Sequence, residues 1–305
     1  MTRLIASRLI QLPLLLLVIY TVTFVLAWAV PGNPLEVEGR QPAPAVAEAM
    51  KAKWNLDSPT DFYFSYLSNA VRGDLGPSLK YQDWTVNEIV AAALPISVQL
   101  GLGAIIVALL IGVTAGVIGA IRRGGPLDFA TLSVALVGIS LPTFVTGSVL
   151  LLVFAIMFPL LPVGGWGSTG QAVLPVVTLS LPFAAYIARL TRLGMIDVMS
   201  SDFVRTARAK GAPGRKVVMQ HALKVAFLPV LSFLGPAAAA AMTGSFVVEK
   251  VFNIPGLGQH FIDAVLNKDL SLIMGVVLVY ATMLIVFNLL VDLVYAWVDP
   301  RIELG

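Results

Sequence analysis

The sequence predicts an all-α protein that crosses a membrane six times, and three observations lead there. Hydrophobic residues make up 58% of the 305 positions and charged residues only 12%. Mean hydropathy is +0.89. The apolar residues gather into six long runs, each of a length that spans the roughly 30 Å hydrocarbon core of a bilayer. A soluble globular domain has no such composition. With no cysteine, disulfides and thiolate metal sites are excluded. The net charge of +3 is too small and scattered for a nucleic-acid partner.

The first run, Leu9 to Val30, follows Arg3 and Arg8. Ala27-Trp-Ala29 resembles a signal-peptidase site, but the run exceeds the 7–15 residues of a signal core, so a retained span is expected. Residues 31–93 form a polar insertion. Within it Ala43 to Trp54 is helix-like, Asp57-Ser58-Pro59 is a helix start, and Thr85-x-x-Glu88 is a capping box. Phe62, Tyr63, Phe64 and Tyr66 crowd one segment. They suit a helix lying on the outer membrane surface; the alternative is a small core of the insertion's own.

Four uncharged runs follow, Leu94 to Ile121, Phe129 to Met157, Ala172 to Ala188 and Ala226 to Val248, and a last run, Leu270 to Val298, holds only Asp292. Prolines 13, 95, 142, 175, 182, 229 and 236 punctuate the spans, and Gly101, Gly103, Gly112, Gly116 and Gly119 give the second a small-residue surface for close helix contact. Six spans put both termini on one side. Arg3, Arg8, Arg122, Arg123, the eight basic residues from Arg189 to Lys224, and Arg301 share that side, thirteen of the twenty Lys and Arg. The positive-inside rule makes it the cytoplasm. No internal repeat or linker divides the chain, so a single domain over residues 1–305 is expected.

The richest stretch is Ser201-Asp-Phe-Val-Arg-Thr-Ala-Arg-Ala-Lys-Gly-Ala-Pro-Gly-Arg-Lys-Val-Val-Met-Gln-His-Ala-Leu-Lys224, which carries six basic residues. Ser201 or Asp202 caps a helix that Gly211 and Pro213 stop, and a second helix starts near Gly214. Ala207 and Gly211, four apart, are expected on one face. Either the stretch is a basic loop that fixes topology against anionic lipid, or it is an elbow shaped for a partner.

Chemistry that is missing narrows the choice. There is no Gly-Lys pair and hence no phosphate-binding loop, no His-Glu-x-x-His, and no Gly-x-Ser-x-Gly. His221 and His260 stand far apart in sequence, each without a second ligand beside it. The runs carry no acidic residue near mid-membrane of the kind ion-coupled carriers use as relays.

Arg205-Thr-Ala-Arg-Ala-Lys-Gly211, then His221-Ala-Leu-Lys224 and Leu228-Pro229, resembles the "EAA" loop of ABC-importer permeases, with Arg205 where the motif usually has Glu. Pro31-Gly-Asn-Pro34, Phe252-Asn-Ile-Pro-Gly-Leu-Gly258 and Asp292 to Arg301 resemble motifs of the same family's dipeptide, oligopeptide, nickel and glutathione branch. Gly73 to Glu88, Leu231 to Pro236 and Thr243-Gly-Ser245 are most similar to its oligopeptide permeases, in the subunit with the long first periplasmic loop.

The resemblance implies the type I importer fold and a non-catalytic, inner-membrane subunit for oligopeptide uptake. Dipeptide, glutathione or nickel permeases, or an ion-coupled secondary transporter, are the alternatives. It implies as partners a second homologous permease, two cytoplasmic ATPases that bind the ATP and Mg2+, a periplasmic peptide-binding protein, and membrane lipid. It assigns ATPase coupling, in the cytoplasmic loop 196–225, to Arg205, Thr206, Ala207, Arg208, Lys210, Gly211 and His221. It assigns an outer seal or binding-protein contact to Phe252, Pro255, Gly256, Leu257 and Gly258. On this reading two glycines of Pro255-Gly-Leu-Gly258 supply positive φ, and Leu257→Asp lowers uptake while assembly stays intact.

Overall fold

The structure is a computed structural model that describes residues 2–31, 35, 43–81, 83–243 and 245–298. Parts of three sequence motifs lie outside these residues: Gly32 to Pro34, Gly244, and Asp299 to Arg301. Among the described residues the only β-structure is an isolated antiparallel bridge between Pro77 and Thr85. The long helices are α1 (Thr2–Ala29), α4 (Val86–Ile121), α7 (Thr169–Met199) and α14 (Leu270–Val298). Between them stand α2 (Pro44–Trp54), α3 (Pro59–Val71), α5 (Pro126–Ser140), α6 (Thr143–Leu151), α8 (Asp202–Ala209), α9 (Gly214–Lys216), α10 (Leu223–Ala226), α11 (Leu228–Thr243), α12 (Phe246–Val251) and α13 (Leu257–Leu266).

Among the described residues five helical segments are long and apolar enough to cross a membrane: α1, α4, α7, α11 with α12, and α14. The third expected span differs from its prediction. Residues 126–157 form two helices, α5 and α6 (with a π-helical turn to Met157), bent by 106° at Leu141-Pro142. Pro142 has no amide hydrogen and disfavours a helical residue before it, so Leu141 turns to an extended ψ of 128° and the helix stops. Counting this pair as one broken span gives six.

The chain forms two compact units, Met1–Ser97 with Ile254–Val286, and Val98–Asn253 with the chain from Phe287 onward. In the first, the insertion closes on itself and on α1 and α14. Phe62 and Tyr66 are buried, and their rings pack with Tyr20, Phe24 and Trp28 of α1. The Tyr20 hydroxyl donates to the Tyr63 carbonyl (2.6 Å), and that of Tyr66 to the Ser271 carbonyl (3.0 Å). The aromatic segment therefore belongs to a core rather than to the membrane surface; of the four residues only Phe64 is mainly exposed (67%). α1 contributes buried Tyr20 and Ala27 to this core.

Local capping follows the sequence here. Ser58 accepts the Asp61 amide ahead of Pro59, and Thr85 and Glu88 exchange bonds through the Thr85 Oγ1 and the Glu88 Oε2. Asp269, fully buried, caps α14 through Leu272 N and also receives Ser78 Oγ (2.5 Å), Leu79 N (3.0 Å) and Lys80 N (3.1 Å). One carboxylate thus holds the loop before α4 on the start of α14.

The second unit is built around α7. The glycine surface of α4 meets it so closely that a Cβ at Gly112 or Gly116 would lie 2.6 Å from the carbonyl of Ala184 or Ala188. Such approach gives van der Waals packing and short backbone distances where burial of apolar area drives nothing.

Candidate functional site: the elbow after α7 and the loop before α13

α7 runs into α8 with a turn of two residues. Ser200 N donates to Asp197 O and Ser201 Oγ to Val198 O, so the turn is tied back onto the last turn of α7. Ser201 takes the N-cap position, although its hydroxyl points back to α7 rather than forward to α8. α8 buries one side chain, Val204, completely. Arg205, Thr206, Arg208 and Lys210 are exposed and Ala207 is half-buried. Arg205 pairs with Asp202 at 3.3 Å, both side chains lying in solvent (71% and 96% exposed). A pair so exposed contributes little to stability.

The helix ends as its glycine dictates. Gly211 takes φ +79°, Gly211 N bonds to Arg208 O, and Ala212 N bonds to Ala207 O. A Cβ at Gly211 would meet nothing within 4 Å. Gly211 therefore lies past the end of α8, and the expected shared helical face with Ala207 does not form. The left-handed residue turns the chain off that face.

Beyond Pro213, α9 passes through a π-helical stretch, Val217–Ala222, into α10. His221 lies in that stretch and is half-buried, whereas Arg205, Thr206, Arg208 and Lys210 are exposed. Ala222 and Ala226 pack on Met195 of α7, and Gly194 admits the Ala226 carbonyl where a Cβ would stand at 2.7 Å. The elbow is thus a rigid base under α7 and α10 that presents a short basic helix outward.

The outer-loop residues divide differently. Phe252 is buried in the second unit; its carbonyl accepts the Gly165 amide (2.9 Å), and the backbone approach there leaves no room for a Cβ at Gly164. Gly256, Leu257 and Gly258 are buried in the first unit, where Leu257 N donates to Ser97 Oγ (2.9 Å). Leu257→Asp is therefore a fold-breaking substitution, not a surface probe. The positive φ also falls elsewhere: Asn253 has φ 48°, whereas Gly256 caps α13 at φ −93°. Pro255 is exposed, and with Tyr81, Trp84, Ile96 and His260 it lines a cavity of about 380 Å³. Among the described residues no group of three or more His, Cys, Asp or Glu is placed to hold a metal ion.

A residue pair that the sequence reading passed over stands beside the elbow. Asp128, in the first turn of α5, is bridged at two points by Arg192 of α7. The available signal was an acid at the mouth of an apolar run on the strongly basic side of the chain.

Apolar helices around close glycine contacts, with a basic elbow between them, define a polytopic helical membrane protein. The pattern of binding-protein-dependent transport system inner membrane components matches residues 108–304. The oligopeptide transport system permease protein OppB of Salmonella typhimurium is 43% identical over 291 residues, covering 94% of this chain and 95% of its own. The dipeptide transport system permease protein DppB of Bacillus subtilis is 41% identical over 305 residues, covering 100% and 99%. In structure the chain is similar to the inward-facing MetNI methionine ABC transporter, with a TM-score of 0.59 at 16% identity, over 69% of this chain and 96% of that one. The chain belongs to the family of binding-protein-dependent transport system inner membrane components and is a permease subunit of an ABC importer, with the type I fold.

Proposed function

We propose that this permease carries oligopeptides inward across the bacterial inner membrane, both termini in the cytoplasm. It works as one domain over residues 1–305, paired with a second homologous permease. Two cytoplasmic ATPases bind ATP and Mg2+ and dock on α8, and a periplasmic peptide-binding protein delivers the cargo. The chain itself is non-catalytic and holds no cofactor. The observation that carries the reading is the exposed face of α8, with Arg205, Thr206, Arg208 and Lys210 offered by a helix whose base is fixed to α7. The peptide cargo is supported by similarity to OppB along almost the whole chain. On the outer side Pro255, at the rim of its cavity, is the accessible contact for the binding protein. The buried Gly256, Leu257 and Gly258, which follow Pro255 in the same unit, hold that rim in place.

The mechanism is a population shift. ATP binding closes the ATPase pair, α8 moves with the subunit it touches, and the outward-open arrangement becomes the favoured one. Ala207→Trp tests it. The side chain is half-buried on a short helix, and overfilling a packed contact costs about 1–3 kcal/mol, roughly 5- to 150-fold in binding. The variant keeps every charge, so it is expected to insert normally yet lose ATPase co-purification and peptide-stimulated hydrolysis. Retention of both would remove α8 from the mechanism. Dipeptides are a second reading, because DppB of Bacillus subtilis matches the chain from end to end. Competition between dipeptides and longer peptides for uptake separates the two.

A further inference from the structure

Asp128 and Arg192 form a joint of unusual definition. Arg192 Nε lies 2.5 Å from Asp128 Oδ1, and Nη2 lies 2.8 Å from Oδ2. Both side chains are largely enclosed, 17% exposed for Arg192 and 5% for Asp128. Oδ2 also accepts the Gly124 amide at 2.8 Å, which ties the turn between α4 and α5 to the same carboxylate. Gly119 of α4 passes alongside: a Cβ there would stand 3.2 Å from Asp128 Oδ1 and 3.4 Å from Arg192 Cδ. Three helices meet at one ion pair.

Stability alone does not account for such a pair. Two enclosed charges recover their desolvation cost only with good geometry, and apolar replacements of like volume often do as well. What a two-point guanidinium–carboxylate bridge adds is a fixed distance and a fixed angle. Further along the same two helices Gly138 approaches Ala185 and the Leu181 carbonyl, a contact with no polar side chain to fix its register.

The position matters as much as the geometry. Arg192 lies two turns before the end of α7, which continues into α8 through the tied turn at Ser200 and Ser201. Asp128 opens α5, the helix that ends in the 106° bend at Leu141-Pro142. In a membrane such a break is tolerated only where it meets protein or lines a water-filled cavity.

We propose that the Asp128–Arg192 bridge is the joint that passes a displacement of α8, received through α7, to the broken helix pair α5–α6. Both are positioning residues for transport. The proposal rests on the reading of α8 as the ATPase-docking element.

The test uses the complete importer in proteoliposomes, with both permeases, the ATPases and the loaded binding protein. Asp128→Asn removes the charge at nearly constant shape, and Arg192→Lys keeps the charge but loses the two-point geometry. Peptide imported per ATP hydrolysed is measured on equal amounts of assembled complex. In both variants stimulated hydrolysis is expected to stay within about twofold of the parent while import falls about tenfold, within the usual range for coupling between sites. A merely structural bridge moves assembly and leaves that ratio alone, so an unchanged ratio overturns the proposal. If Asp128→Asn does not assemble, Arg192→Lys, which leaves no unpaired buried charge, supplies the ratio. Ala207→Trp runs in parallel. Loss of ATPase association there with a normal ratio for Arg192→Lys means that the joint alone fails. A silent Ala207→Trp means that the docking reading fails.

Discussion

Two polar segments interrupt the apolar runs of this chain, and they have opposite fates. The insertion before α4 finishes its own interior: Phe62, Tyr66 and Leu79 are buried there, and Asp269 satisfies four donors in its loop and helix start. The elbow after α7 buries its base but leaves α8 outside, with Val204 as its single enclosed side chain. One segment packs an interior together with α1 and α14. The other is a short helix that buries too little to be stable for its own sake, and short helices hold together through packing rather than propensity. On the function proposed above, it is this exposed surface that an ATPase subunit covers.

If the insertion is self-sufficient, damage inside it registers as lost stability whether or not ATPases are present. The largest effect is expected from Asp269→Ala, which strands the Ser78 hydroxyl and the Leu79, Lys80 and Leu272 amides in a buried place. Each buried unpaired donor costs about 1–3 kcal/mol, and the loss is not additive, so a destabilisation of about 3–5 kcal/mol is expected. Thermal unfolding of the detergent-purified permease, with protease cutting in residues 72–85, measures it.

Tyr66 gives a smaller and pH-dependent effect. Burial, then the neighbouring Tyr20, Asp269 and Asp74, push its phenol well above the ordinary tyrosine value. The fold binds the neutral form, so its contribution is full below the unfolded pKa of about 10 and is lost as pH rises beyond it. Tyr66→Phe removes the bond to the Ser271 carbonyl and is expected to cost about 1 kcal/mol at neutral pH. It should also flatten the fall in unfolding temperature above pH 10. An identical alkaline fall in both proteins would show that Tyr66 is not its source.

In global stability the elbow answers least, because its response stays local. Gly211 stands at φ +79° with open space where a Cβ would go, so Gly211→Ala meets strain but no clash. A left-handed alanine costs about 1–2 kcal/mol, confined to the end of α8. Its expected signature is faster hydrogen exchange in α8 with an almost unchanged unfolding temperature. A drop in stability as large as that of Asp269→Ala would erase the contrast between the two segments.

Composition, run length and the basic side of the chain determined a membrane-spanning helical protein, because apolar length and charge flank are local and additive signals. Capping at Ser58 and Thr85 and the glycine end of α8 were equally legible, being set by neighbours two or three residues away. The tertiary structure alone decided that Phe62 and Tyr66 face α1, that Leu257 is interior, and that Asp128 meets Arg192 sixty-four residues on. It also bent the third apolar run, where Pro142 announced a disturbance but not its size of 106°. A proline or an aromatic cluster states what a segment can do by itself. Which partner completes it depends on contacts between distant residues, and no local pattern in the sequence encodes those distances.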